Sequence, residues 1–492
     1  MNLFRRKTIS QILHEGVDEG HTLKRTLGRT SLILLGIGAI IGAGLFSITG
    51  GAAANNAGAG VTISFIIAAV ACAFAGFCYA EFASMIPVAG SAYTYSYATM
   101  GEFIAWIIGW DLVLEYAVGA ATVAISWSRY LVKFLGYYDL HLAPEMTMSP
   151  WNSVTLESGE VVHGIINLPS VFIVVAMSLL LMRGTKESAL VNTVIVSLKV
   201  AVVLIFIALG WAYINTANYV PYIPDNTGEF GSFGWSGVLR AAGIIFFAYI
   251  GFDAVSTAAQ EAKNPEKDMP WGIIGSLVVC TILYLLFAHV MTGVANYKDF
   301  QGQDGIAPVA VAIDHMGTQG ADGKWIPDFP WLNKAIIVAI LAGYSSVIMV
   351  MLMGQSRVFY TMSKDGLLPK IFSDVHPKFQ TPVKSNLLFM GVVSLFAAFV
   401  PADIVGEMTS IGTLLAFVLV CAGVLVMRYT QPDAPRSFKT PFVPFVPALG
   451  ILCCLAMMIS LPWDTWLRLI GWLALGFIIY FVYSYKNSRL NK

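Results

Sequence analysis

The sequence predicts an all-α integral membrane protein of about twelve transmembrane helices, with a five-plus-five inverted repeat whose helices 1 and 6 are broken. Three observations point there. Apolar runs of about 20 residues, the length that crosses a bilayer, recur along the chain. Charged residues make up 12% of the 492, where a soluble domain carries about 25%, and the mean hydropathy is +0.72. Two of the runs, the first and the sixth, carry glycines where an uninterrupted membrane helix favours leucine, which weakens the helix by roughly 0.5–1 kcal/mol per position.

Residues 1–30 form a polar segment with Arg5, Arg6, Lys7, Lys24, Arg25 and Arg29. A cleavable signal peptide would place its apolar region nearer Met1, so the first run reads as an uncleaved anchor. Spans follow at 31–52, 60–85, 95–124, 166–183 and 187–215, which make the first half. The second half holds 237–260, 269–296, 333–362, 384–400 and 404–427, the last two separated only by Pro401-Ala402-Asp403. The core is thus 31–430, split into repeats 31–215 and 237–430. Residues 431–492 add two helices, 441–461 and 465–485, and a short tail.

The distribution of Lys and Arg sets the orientation. With the N-terminus in the cytoplasm, 21 of the 29 basic residues fall on cytoplasmic segments. Both termini are therefore expected inside a multi-pass protein of the cell membrane. The longest connections, about 136–165, 216–236 and 297–332, are expected outside.

The first break reads Gly36-Ile37-Gly38-Ala39-Ile40-Ile41-Gly42-Ala43-Gly44-Leu45-Phe46. The second reads Gly243-Ile244-Ile245-Phe246-Phe247-Ala248-Tyr249-Ile250-Gly251-Phe252-Asp253. Five is odd, so a repeat of five spans is inverted in the membrane, and paired Gly-interrupted helices then mark a site near the midplane. The other reading of the glycines is close helix packing alone. Broken helices expose backbone groups: N–H groups at the start of a half-helix attract an anion, and free carbonyls attract a cation. A site offering both suits a zwitterion such as an α-amino acid.

Ionisable residues inside a span cost roughly 2.5–3.5 kcal/mol each, which makes them functional candidates. Lys199 lies mid-span, too far from either end to snorkel comfortably. It reads either as a structural amine satisfying broken-helix carbonyls or as a titrating amine. Glu115 reads as an acid bonded to a neighbouring helix, or as one lining the cavity to select cationic side chains or carry a proton. Asp253 directly follows the second break. Asp111 is placed nearer a membrane face in a structural role, Glu81 and Glu261 at cytoplasmic helix ends beside basic loops, and Arg240 as an interfacial anchor. The methionines of span eight, from Gly343 to Met353, read as packing or as a lining that sets side-chain specificity.

Formal net charge is +0, so no nucleic-acid partner is implied. The six cysteines lie in apolar spans without metal-ligand spacing and read as small hydrophobes. No cofactor, metal or catalytic residue is expected. Of the histidines only His289 lies within a span, and neither an H-E-x-x-H nor a Walker pattern is present, which argues against an intramembrane enzyme and an ATP-driven pump. Two asymmetric breaks do not make a ring-like channel filter.

Four motifs then carry a resemblance. They are Gly38 through Phe46; Glu81-Phe82-Ala83-Ser84-Met85-Ile86-Pro87 through Gly90 to Tyr93; Gly251-Phe252-Asp253 followed by Glu261, Asn264-Pro265 and Pro270; and Ser356-Arg357 through Lys364-Asp365-Gly366-Leu367-Leu368-Pro369 to Thr381-Pro382. Together they cover about 30–430 and resemble the amino acid–polyamine–organocation superfamily, most of all its cationic amino acid transporter branch, bacterial members included. The resemblance implies the five-plus-five inverted repeat. It implies a substrate carboxylate at the backbone of Ala43 and Gly44, and an ammonium at the carbonyls of Ile40, Phe247 and Ile250. Ile41, Gly42 and Ala248 belong to the same two stretches and count as substrate-binding. Position 43 is often a hydroxyl residue in relatives, and alanine here removes that side-chain hydrogen bond. A lysine on helix five of sodium-independent members implies that Lys199 stands where a sodium ion would sit and links proton binding to closure of span one. For Asp253 the resemblance implies gating or proton sensing.

The expectation is a secondary active transporter, proton-coupled, taking up cationic or small neutral L-amino acids by alternating access. An exchanger, a polyamine transporter and an amino acid sensor are the alternatives. Expected partners are the amino acid, protons and the bilayer, with a small membrane subunit left open.

Overall fold

The computed structural model describes residues 3–12, 27–88, 90–156, 159–183, 188–259, 262–301, 307–320, 325–377, 379 and 381–491. Glu261, most of the N-terminal segment (13–26) and the 184–187 turn lie outside them.

The chain begins its bundle with α1, Arg29–Ile40, and then continues through a π-helical turn Gly44–Ile48 and further helical turns to Ala57. Gly58 reverses the path at φ +60, where an added Cβ would strike Pro224. α2 (Val61–Met85) returns, and α3 (Ser91–Thr99) lies across its end. α4 (Glu102–Val113), a π-helical turn Leu114–Val118 and α5 (Gly119–Gly136) make one long crossing. α6 (Leu168–Arg183) and α7 (Ser188–Gly210) close the first half.

The second half holds α8 (Gly234–Ile245), α9 (Pro265–Val294), the short α10 (Pro308–Asp314), α11 (Pro330–Lys364), α12 (Val383–Phe399) and α13 (Ala402–Thr430). α14 (Phe445–Ser460) and α15 (Trp463–Ile479) complete it. Three helices begin on a proline, at Pro265, Pro308 and Pro330, where the missing N–H costs nothing. Pro401, extended at φ −61 and ψ 147, separates α12 from α13 where the sequence places a boundary.

Among the described residues, eight helical stretches are long and apolar enough to cross a membrane, and three shorter apolar helices, α6, α12 and α14, accompany them. The first stretch, Arg29–Met85, is 57 residues long and contains both of the first two predicted spans. The remaining structure among the described residues is loop and two small antiparallel hairpins. One pairs β1 (Ser153–Thr155) with β2 (Val161–His163), Val154 opposite Val162. The other pairs β3 (Gly317–Gln319) with β4 (Trp325–Pro327), Thr318 opposite Ile326.

One predicted span is displaced. The sequence reads 95–124 as a single crossing, but residues up to Thr99 belong to α3 and the crossing starts at Glu102. The cause is Gly101, held at φ +98, where a Cβ would lie 2.7 Å from the backbone of Phe4. The N-terminal segment occupies that notch: Glu102 N donates to Arg5 O at 2.8 Å and Phe103 N to Leu3 O at 3.1 Å.

Both chain ends meet at this face, called here the terminal face. Arg5 donates to Leu490 O at 2.8 Å, and Arg489 N donates to Asp365 O at 3.0 Å. Lys7 pairs with Asp365 at 2.5 Å, both side chains buried, and Tyr93 donates to the other Asp365 oxygen at 2.6 Å. Glu102 accepts from Tyr97 and Tyr480, each at 3.0 Å. A buried acid surrounded by donors in this way meets its desolvation cost with charge-assisted bonds.

Candidate functional site

Both breaks are present. The hydrogen-bond ladder of α1 ends with Ile41 N donating to Ile37 O at 2.9 Å. Ile41 then extends at φ −71 and ψ 105, and the helix resumes at Gly44 as a π-turn, a form common at functional positions. α8 ends at Ile245, tightens into a 3₁₀ turn over Phe246–Tyr249 and extends at Ile250, φ −60 and ψ 134. Gly251 follows at φ +118, a conformation that side chains disfavour.

The glycines serve both roles considered from the sequence. A Cβ on Gly44 would sit 2.2 Å from Ala248 Cα, and one on Gly251 would sit 2.8 Å from Ala39 O. The two unwound segments therefore cross with backbone against backbone. Ile40, Ile41, Ala43, Phe247, Ala248 and Ile250 are all buried there, and Gly42 faces Val347 of α11 at ordinary contact distance.

The freed backbone groups have specific neighbours. Lys199 Nζ donates to Gly38 O at 2.9 Å. Its stem lies over Gly343, where a Cβ would meet Lys199 Cε at 2.8 Å, so that glycine makes the passage for the lysine. Tyr284 of α9 places its hydroxyl 2.9 Å from both Ile40 O and Ala248 O. One carbonyl from each break is thus joined by a residue that sequence reasoning did not select. Phe247 O accepts Ile250 N at 3.3 Å. Ala43 and Gly44 stand at the start of the second half-helix, whose first N–H groups lack intrahelical acceptors.

Below the second break sits a group of acids. Asp253 accepts the Tyr116 hydroxyl at 2.6 Å. Glu115, on the π-turn between α4 and α5, lies within hydrogen-bond reach of Asp253 and of Thr413 on α13. Lys199 at 2%, Glu115 at 0% and Asp253 at 0% exposure are all withdrawn from the surface. The structure brings Glu115 and Asp253 together; Lys199 stands apart from them, on the carbonyl side of the first break.

The other residues read from sequence fall out as follows. Glu81 accepts from Arg428 at 3.0 and 2.9 Å, from Arg436 at 3.0 Å and from Thr440 N at 2.7 Å, a pairing with loop basics as expected. Arg240 donates to Ser460 O at 3.1 Å and covers the Phe230 ring. Asp111 is buried, one helical turn before Glu115, and α13 approaches it so closely that a Cβ on Gly412 would be 3.1 Å away. Of the span-eight residues, Val347 meets the first break, while Met351 packs on Gly119. The cysteines are free, and among the described residues no cluster suited to a metal occurs.

A multi-pass helical bundle whose two broken helices cross at a buried polar centre has the architecture of a membrane carrier. The chain belongs to the amino acid permease family, whose model matches residues 27–483. It is 45% identical to the branched-chain amino acid permease BcaP of Bacillus subtilis (strain 168), over 100% of this chain and 99% of that one. It is 41% identical to the methylthioribose transporter of the same organism, over 100% of each. The vacuolar cationic amino acid transporter 4 of Arabidopsis thaliana is 33% identical over 88% of this chain and 68% of its own. These relatives are permeases and transporters, and the protein is not an enzyme.

Proposed function

We propose that the protein takes up neutral, aliphatic L-amino acids by proton-coupled alternating access across the cell membrane. In this reading it crosses twelve times, its halves 31–215 and 237–430 form an inverted repeat, and the terminal face is cytoplasmic. The observation that carries it is the crossing of two unwound segments. That crossing offers half-helix N–H groups at Ala43 and Gly44 to a carboxylate, and carbonyls of Ile40, Phe247 and Ile250 to an ammonium. Ile41, Gly42 and Ala248 complete the backbone contour. Next to it, Val347 and Phe247 supply an apolar surface for the side chain. Asp253 accepts from Tyr116 with Glu115 beside it, a carboxyl pair that suits a shared proton better than a cationic side chain. That favours a neutral substrate over a cationic one, in line with the name borne by the branched-chain relative. In this reading Glu115 and Asp253 hold the coupled proton, and Lys199 reports on closure of the first break through Gly38 O.

The test is uptake of labelled L-leucine, L-alanine, L-arginine and methylthioribose into proteoliposomes in sodium-free buffer, with and without an inward proton gradient. Accumulation of leucine that collapses when the gradient is dissipated is the expected result. Accumulation of arginine alone would restore the cationic reading, and of methylthioribose alone would move the substrate out of amino acids. Exchange without gradient-driven accumulation would remove proton coupling.

Lys199→Ala is expected to lower gradient-driven accumulation at least about tenfold, since a buried amine bonded to the break would be lost. Unchanged accumulation in that variant would end the coupling role of Lys199.

A further inference from the structure

We propose that the hydroxyls of Tyr79, Tyr95 and Ser256 form the route by which the coupled proton passes between the Glu115–Asp253 pair and the terminal face, an inference that rests on the proton-coupled reading above. All three residues are at 0% exposure, and their hydroxyls find no partner outside the cluster, Tyr95 and Ser256 facing each other. A buried, unpaired polar group costs about 1–3 kcal/mol, and native interiors contain few of them. Here they stand beside the buried Glu115–Asp253 pair, Tyr79 packing on Phe252, the residue before Asp253.

The geometry links them in order. Ser256 is three residues beyond Asp253 and donates its backbone N–H to Asp253 O at 2.8 Å. The Tyr95 hydroxyl lies beside Ser256. The Tyr79 and Tyr95 rings meet edge-on with centroids 6.4 Å apart, and Tyr79 packs edge-on against Phe252, the neighbour of Asp253. Tyr95 belongs to α3, whose Tyr93 and Tyr97 donate to Asp365 and Glu102 of the terminal face. Two more buried hydroxyls, Thr94 and Ser91, lie on the same helix. The titratable groups facing the cluster are Glu115 and Tyr116 from the π-turn, Asp111 one turn earlier on α4, Asp253 from the second break, and Cys421 from α13.

A hydroxyl can take a proton on its oxygen as it gives its own to the next acceptor, so a proton leaving the carboxyl pair emerges at the far end with no net charge left on the tyrosines. Packing does not need these hydroxyls. Tyr79 is held through its ring by Phe252 at 5.6 Å and Phe417 at 5.4 Å, and Tyr95 stacks on Phe82 at 5.2 Å. Phenylalanine would keep every one of those contacts.

The experiment compares wild type, Tyr79→Phe, Tyr95→Phe, the double variant and Ser256→Ala in proteoliposomes. Gradient-driven leucine accumulation is measured beside counterflow at equal pH, in which the carrier returns loaded and need not release its proton. The double variant is expected to lose at least about tenfold in accumulation, a modest share of what a positioned proton-transfer group contributes, while counterflow stays within about twofold. The two single variants and Ser256→Ala should fall in the same direction, and the pH profile of uptake should change. Accumulation equal to wild type in the double variant would overturn the route, and so would a parallel fall of both activities, which marks a structural role. Wild type that shows no gradient-driven accumulation would overturn the proton-coupled reading itself, a result distinct from either.

Discussion

Gly44→Val is expected to abolish uptake, with a loss of at least about a hundredfold, the size of effect that an ångström-scale misplacement at a reacting site produces. The cause is local. A Cβ at position 44 would fall 2.2 Å from Ala248 Cα, and the obstructing atom is backbone, which cannot rotate away. The two broken helices must therefore move apart, and the half-helix that presents Ala43 and Gly44 N–H groups shifts with them. Labelled substrate uptake, alongside a monodisperse elution profile in detergent, checks the effect. Gly391→Val serves as the comparison, because nothing lies within 4 Å of a Cβ there and α12 presents that position to the outside of the bundle. If Gly44→Val transports as well as Gly391→Val, the crossing is not the substrate site.

Glu81→Ala is expected to destabilise the folded protein by about 3–5 kcal/mol, the cost of removing one partner from a buried ion pair. Glu81 and Arg436 each have side chains only 2% exposed, and Arg428 closes a two-point contact from the end of α13. Deleting the acid leaves the Arg436 charge buried without its counter-ion and strips Thr440 N of its acceptor. A thermal melt in detergent should show a lowered midpoint. Since the acid bonds only to Arg428, Arg436 and Thr440 and to neither break, uptake by the surviving folded protein should remain. An unchanged midpoint would mean that the arginines find other partners and that the clamp between α2 and α13 is dispensable.

The breaks are legible in the sequence because glycine in a membrane span violates a strong local preference. Lys199, Glu115 and Asp253 were legible for the same kind of reason: each is too costly in a span to be there without a partner or a task. Tyr284 was not legible. A tyrosine in an apolar run is unexceptional, and its meaning comes only from two carbonyls 244 and 36 residues away. The burial of Asp111 is likewise hidden in the sequence, which does not show α13 closing over it. The displaced start of the third crossing has a similar origin, since Gly101 marks a turn only once Phe4 is known to occupy the space a side chain would take. The π-turns at Gly44 and Glu115 leave no pattern in composition, because an extra residue per turn is imposed by neighbouring helices rather than by propensity.

The seam between the chain ends has a consequence for biosynthesis. Arg5 and Leu490 are bonded across 485 residues. At translation rates of about 5–20 residues per second, the N-terminal segment waits roughly half a minute to a minute and a half for its partner to be made. During that interval the Glu102 carboxylate lacks the Tyr480 and Ser488 hydroxyls that later donate to it, and the newly inserted bundle is open at one end. The last step of maturation is therefore the closing of a ring, and truncating either end should leave a protein that inserts normally but does not finish assembling.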